Sequence, residues 1–408
     1  ENIPSLMKSY QNLHLLPLFS KQIAYGNKSF PWSLNKKKYI YHKGICPVSE
    51  ELNDKNSIEK AISNAYRSGY KIIFAQIDVH ENYHYNPFLS PNQDESFDSL
   101  ELILYWANLY GLEVHVWINA YKIWSSKSPP PSNHMFYQLK KTSKDWFATD
   151  INGYMDYSLD INSYSNNFSG IFLSPLNPES NKYIKNIINK ILNDYSRNGI
   201  PLIDGIHLDY LRYKDSMYGY NYIGRKIFYD KNKVDPVYLN KNLYSSDSTQ
   251  FFKNNWNNFK SNQINLLVKD LYNLLNEEKG KDLKLSVAVK PDIYEAKIRW
   301  NQNWDEWIDK NYIDFVVIMN YFPDSESFSN NLFNLSKYFN QNDLSKIYIG
   351  INTIEETLGS KQLKDINTIK EQIKNTFDYS FGGIAIFSYE YYKYNPKMYL
   401  EIFSEGSN

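Results

Sequence analysis

The stretch PLIDGIHLDYLRY, residues 201–213, decides the fold. Ile206 and Leu208 give it the apolar character of a buried β-strand, yet His207, Asp209 and Arg212 fall within six positions. Successive side chains of a strand point to opposite faces. Gly205, His207 and Asp209 therefore share one face, and Ile206 and Leu208 the other. In a closed parallel barrel the apolar set faces surrounding helices and the remaining set faces the axis, which reconciles a buried strand with polar side chains at its end.

Seven further runs of strand character recur along the chain. They are KGICPVS (43–49), KIIFAQID (71–78), LEVHVWINAY (112–121), LKLSVAVKP (283–291), DFVVIMNYF (314–322), KIYIGINT (346–353) and GGIAIFSYE (382–390). Segments of helical period separate them: 57–70, 96–111, 181–199, 256–280, 303–312, 327–339 and 366–380, with a last one around 395–404. In the first, Ile58, Ala61, Ile62 and Ala65 form one stripe. Gly111 and Gly199 follow the second and third, as helix stops do. Strand–helix alternation without adjacent hairpins predicts an α/β fold, a (β/α)8 TIM barrel. An open doubly wound sheet is the alternative, but neither GxGxxG nor a Walker pattern occurs.

Residues 1–42 read as an N-terminal arm, and 43–408 as the barrel domain. Two loop excursions, 122–180 after strand three and 214–250 after strand four, are too long for plain connections. Both follow the C-terminal ends of strands, where barrel enzymes build their sites.

Composition narrows the function. Lys and Arg together number 45, as do Asp and Glu, so the formal charge is zero. That argues against nucleic acid or anionic lipid as a partner held by broad electrostatics. No apolar run is long enough to span a membrane. The 37 Tyr, 22 Phe and 9 Trp residues supply platforms for sugar rings, or reflect a background bias shared with Asn, Lys and Ile. The lone cysteine, Cys46, excludes an intrachain disulfide and reads as a small buried side chain. It fits the cytoplasm and equally an envelope protein. A chain starting at Glu1 suits a removed signal segment or a tag boundary. Metal and cofactors are not called for: the histidines are scattered, and the pair in HENYH (80–84) falls in a loop, where its spacing aligns nothing.

Polar residues collect at one end of different strands: Gln76 and Asp78, Asn119, His207 and Asp209, Lys290, Asn320, Asn352 and Glu390. Each alone has a plain structural reading. A lone axial His is commonly a satisfied core residue, and Arg212 can bridge to Asp209 or Asp215. Their sorting by strand end is what points to a site.

DGIHLDYLRY resembles the strand-four signature of the bacterial glycosyl-hydrolase-like family ten, a barrel group of glycosidases. GICPVS, IIFAQIDVHENYHYNPFLSP, GLEVHVWINAY, FLSPLNPESNKYIKNIINKIL, WIDKNYIDFVVIMNYF and GGIAIFSY match in order, so the resemblance spans roughly residues 43–392. Two segments depart from it: strand one carries Cys-Pro where an aromatic and Thr or Ser are usual, and strand six reads IMNYF instead of Pro-Gln-x-Tyr. The resemblance implies a glycan substrate of the peptidoglycan type, and a cell-envelope location, periplasmic or secreted.

Glycoside hydrolysis ordinarily uses two carboxyl groups, one ionised and one protonated. Asp209 is the expected ionised one, held by Arg212 or His207; the resemblance supports a nucleophile at this strand end. Glu390 and Asp78 compete for the acid, with Asp292 and Asp324 also placed at strand ends. Gln76, Trp117, Asn119, Trp124, His207, Tyr210, Arg212, Lys290, Asn320 and Tyr321 are the expected substrate-binding residues. Two other classes stand beside the hydrolase: a glycan-binding barrel without turnover, and a Schiff-base enzyme using Lys290.

Overall fold

The computed structural model describes residues 42–45, 55–77, 79–80, 98–126, 128–142, 145–156, 170–240, 245–277, 281–357, 360–389 and 402. Ile40–Asn408 is one unit. Residues 1–41, which carry the expected arm, lie outside those described, as do Cys46, Asp78, His84, Glu390 and the expected last helix up to residue 401.

Eight parallel strands close into one barrel. They are β1 (His42–Ile45), β2 (Ile72–Gln76), β3 (Glu113–Asn119), β4 (Gly205–Asp209), β5 (Lys284–Val289), β6 (Phe315–Met319), β7 (Ile347–Asn352) and β8 (Gly383–Phe387). Neighbours around the ring run in chain order, and β8 returns to β1 with Lys43 beside Ile384 and Ile45 beside Ile386. Seven fall inside the predicted runs, and β1 starts one residue before its run, at His42, the last residue of the expected arm.

Helices clothe the ring: α1 (Lys55–Arg67), α2 (Ser99–Tyr110), α3 (Pro178–Asp194), α4 (Ser246–Glu277), α5 (Ile293–Trp300), α6 (Trp304–Asp309), α7 (Ser325–Tyr338) and α8 (Ile366–Asp378). α1 buries the predicted Ile58, Ala61, Ile62 and Ala65. α2 starts where the Asp98 carboxylate accepts from the Glu101 N–H at 3.0 Å and stops where Gly111 turns left-handed at φ 67°. α5 was not foreseen, because its eight residues carry a single buried side chain, Ala296, and so little apolar period. Short antiparallel hairpins also occur, Ser196–Arg197 with Ile200–Pro201 and Ile354–Thr357 with Ser360–Leu363, all outside the barrel sheet.

The long connections after β3 and β4 are stitched to one another. Within the first, Lys122–Trp124 pairs with Ile171–Phe172, and a helix spans Met135–Lys141; the second carries a helix over Tyr222–Asn232. The Lys214 ammonium donates to Asp156 at 2.6 Å and to the Gly170 carbonyl at 2.9 Å. The Asn221 amide donates to the Asp145 carboxylate and the Phe147 carbonyl, and its oxygen accepts from the Thr149 N–H. Asp156 and Lys214 are both buried, so each charge relies on the other. These contacts fix one wall above β3 and β4.

Inside the ring, Ile72, Phe74, Trp117, Phe315, Val317, Tyr348 and Ala385 form the axial core. Gly205 makes room for it: a Cβ there would lie 2.8 Å from the His115 ring and 2.6 Å from the Lys284 carbonyl. Phe74 is fully buried and packs against His115, His207 and Phe315 at ring-centroid distances of 5.5, 4.7 and 6.2 Å. Phe74→Ala is expected to lower the unfolding free energy by about 3–5 kcal/mol, read by guanidinium denaturation; a loss below about 1 kcal/mol would show that this layer does not carry the barrel.

Candidate active site

Burial gives way at the last residue of six strands. Gln76, Asn119, Asp209, Met319, Asn352 and Phe387 are half-buried, each following a run of buried residues. Lys290, one residue beyond β5, is half-buried too. This rim is the C-terminal mouth of the barrel, and the polar side chains on it include the expected Gln76, Asn119, Asp209 and Lys290.

Asp209 sits beside Asn119 in the β3–β4 register, and its carbonyl accepts from the Ala120 N–H at 2.7 Å. The chain then turns sharply. Tyr210 adopts a left-handed φ of 51°, a conformation that costs a residue with a Cβ. The turn directs the Tyr210 N–H onto the Asp209 carboxylate at 2.6 Å and the Arg212 N–H onto the Tyr210 carbonyl at 2.9 Å. Backbone strain of this kind persists where surrounding structure holds it, and here it sets the aim of Asp209, Tyr210 and Arg212 together.

Burial pushes the Asp209 carboxyl above its ordinary value of 3.8; the Tyr210 N–H, Arg212, Lys122 and Lys290 each oppose the rise without cancelling it. Arg212 does act to lower Asp209, as expected, but burial outweighs it, and His207 supplies none of the lowering expected of it. Arg212 spends its Nη1 on the Tyr213 and Lys214 carbonyls, at 3.1 and 3.4 Å. His207 shares a 2.9 Å hydrogen bond with Ser286, and burial with a nearby His115 drives its imidazole down to about 3. It is neutral at ordinary pH and offers Asp209 no positive charge.

Cations crowd the same wall. The Lys122 ammonium lies 4.4 Å from the centre of the Tyr210 ring and donates to its hydroxyl at 3.4 Å. Burial lowers Lys122 to about 8. Lys290 is lowered as well, by burial and then by Arg212. Its ammonium faces the Trp300 ring and shares the field of Asp209 and Arg212. Lys122 and Trp300 were missed in the sequence. They lie in an excursion and at the end of the short α5, so no strand alternation marks them.

Other expected residues are brought elsewhere. Trp117 and His207 are on the axis but one layer below the mouth, only 6% and 4% exposed, packed with Phe74 and Phe387. Asn320 is corrected outright. The axial set of β6 is Phe315, Val317 and Met319, and Asn320 has the opposite parity. It is fully buried, donating to the Phe328 carbonyl and accepting from Asn331 on α7. Tyr321 does stack on Phe387 at the rim, at 5.7 Å. Trp124 is half-buried, its indole N–H donating to the Ser128 carbonyl at 2.7 Å. Asp292 and Asp324 are the N-caps of α5 and α7, accepting from Glu295 and Ser327. His80 bonds to the Asn119 carbonyl at 2.8 Å and to the Tyr183 hydroxyl at 3.2 Å.

The Glycosyl hydrolase-like 10 family matches residues 50–376. The chain belongs to that family. Among curated proteins none matches this sequence. Among solved structures, the PgaB (BpsB) glycoside hydrolase domain from Bordetella bronchiseptica is similar with a TM-score of 0.61 at 12% identity, over 89% of this chain and 98% of that one. A β-galactosidase from Bacillus circulans sp. alkalophilus gives 0.56 at 15% identity, over 87% and 51%. The catalytic domain of a β-amylase from Paenibacillus polymyxa gives 0.50 at 12% identity, over 85% and 92%. At these identities the likenesses speak for a shared barrel.

His207 offers a check on the polarity of the axial layer. Its folded value, about 3, lies below the ordinary 6.5, so the unfolded chain takes up a proton that the folded one refuses. The stability that this group contributes is complete above pH 6.5 and is lost as pH falls through 3. In imidazole nitrogen NMR, His207 is expected to stay neutral down to pH 4, well above its value of about 3; protonation near 6.5 would contradict the burial argument.

Proposed function

We propose that this chain is a glycoside hydrolase of the bacterial cell envelope that cleaves peptidoglycan glycan strands, with Asp209 as one of two reacting carboxyl groups. The observation that carries the reading is Asp209 itself, half-buried at the end of β4, where burial pushes its carboxyl upward from the ordinary 3.8. A carboxyl that holds its proton more firmly is better suited to donate it to the glycosidic oxygen as it leaves, which is the acid's part in glycoside hydrolysis. On this reading Asp209 takes the acid's role, in place of the ionised role expected from the sequence.

The ionised partner then falls to Glu390 or Asp78. In the ring order, β8 stands opposite β4, while β2 is two places away. Glu390 follows β8 by three residues and Asp78 follows β2 by two. Both residues lie outside those described, so the reading keeps the two as candidates for the partner. A separation of about 5–5.5 Å between the carboxyl groups would give retention, and about 6.5–9.5 Å inversion.

A second reading, a glycan-binding barrel without turnover, draws on one observation: among the described residues, the charged side chains acting on Asp209 are all cations. Digestion separates the two. Purified glycan strands, with and without stem peptides, are expected to be cut by the wild type and left intact by Asp209→Asn, with a rate loss of at least about 100-fold read by mass analysis. Intact strands with the wild type, bound but uncut, would favour the binding protein.

A further inference from the structure

Three cations line the wall beside Asp209 in a continuous run. Lys122 and Arg212 both face the Tyr210 ring, at 4.4 and 5.1 Å from its centre. Arg212 and Lys290 both face the Trp300 ring, at 4.5 and 4.9 Å. Two aromatic rings are therefore shared by three positive charges. Lys122, Arg212 and Lys290 form no ion pair within 4 Å among the described residues. Asp215 and Glu295, the other carboxylates that act on Arg212 or Lys290, are both engaged by Arg299, at 2.9 and 3.0 Å.

Such an arrangement is costly without an anion. Arg212 is only 8% exposed, and its Nε has no hydrogen-bond partner. A buried guanidinium donor left unmade costs more than a neutral one. The rings offset part of the loss for each cation, but they do nothing for the mutual repulsion of Arg212 with Lys122 and Lys290. Asp209 acts on all three, yet it is a single charge, and a protonated Asp209 supplies none. The wall stays positive in either state. Sugar hydroxyls can accept hydrogen bonds but cannot neutralise it, whereas a carboxylate can do both.

We propose that Lys122, Arg212 and Lys290 form a subsite for a carboxylate carried by the sugar bound against Asp209, so that the substrate is an acidic polysaccharide. The proposal rests on the glycosidase reading above and deepens it. Glycan strands stripped of stem peptides meet the requirement, because each muramic acid then presents a free lactyl carboxylate. A substrate anion at this position would also favour the protonated form of Asp209, coupling recognition to the proton it donates.

The test is binding without turnover. Calorimetry on the Asp209→Asn chain compares stripped glycan strands whose lactyl carboxylates are free with the same strands after conversion to carboxamides. The free form is expected to bind at least about tenfold more tightly, the range of a charge-assisted hydrogen bond, and the preference is expected to vanish when Lys122→Gln and Lys290→Gln are added. An unchanged thermal midpoint shows that the added substitutions leave the fold intact. Equal binding of both forms, binding of neither, or a preference that survives the added substitutions would overturn the subsite. Cleavage by the wild type reads the other question independently: strands cut equally well in both forms would keep the hydrolase and remove the subsite, and a preference without any cutting would do the reverse.

Discussion

The closure of eight parallel strands into one ring is the constraint on which the rest depends. Because side chains alternate, closure sends every second residue of each strand to a shared axis that water reaches only at its ends. Phe74, Trp117, Phe315 and Tyr348 fill that axis. What remains at the C-terminal end is a narrow rim where a carboxyl, an amide and an ammonium are half-buried beside one another. A carboxyl in that place is pulled in two directions. Desolvation raises it and neighbouring charge lowers it, and for Asp209 the former dominates.

The surroundings of Asp209 are built by elements outside the ring. Lys122 arrives from the excursion after β3, Arg212 from the turn after β4, and Lys290 with Trp300 from the segment after β5. The excursions hold one another through the buried Asp156–Lys214 pair and the Asn221 amide. The left-handed Tyr210 then presents its ring to both Lys122 and Arg212. Among the described residues, the charges around Asp209 thus come from three consecutive connections on one side of the barrel, while the ring itself contributes position.

Much of this was legible in the sequence, and the reasons differ by residue. The strands were readable because β-branched runs are short and bounded, and Asp209 was readable because alternation in DGIHLD leaves no other face for it. Asn320 was misplaced because its strand end was recognised without counting parity from Phe315. Trp117 and His207 were correctly axial, but depth along the axis depends on the stagger between strands, which periodicity does not encode. Arg212 follows Asp209 closely in the chain yet bonds to carbonyls of its own turn, a choice of side-chain conformation that spacing does not determine. Lys122 and Trp300 carry no periodic mark at all. Glu390 and Asp78 lie outside the described residues.

The central claim is that burial, and not pairing with a cation, governs the protonation of Asp209. Carboxyl carbon NMR on protein labelled at aspartate, with Asp209→Asn supplying the assignment, measures it directly. The account predicts a titration midpoint clearly above 3.8, with the carboxyl still taking up its proton where exposed aspartates are fully ionised. A midpoint at or below 3.8 would contradict it, showing that the Tyr210 N–H and the three cations outweigh desolvation.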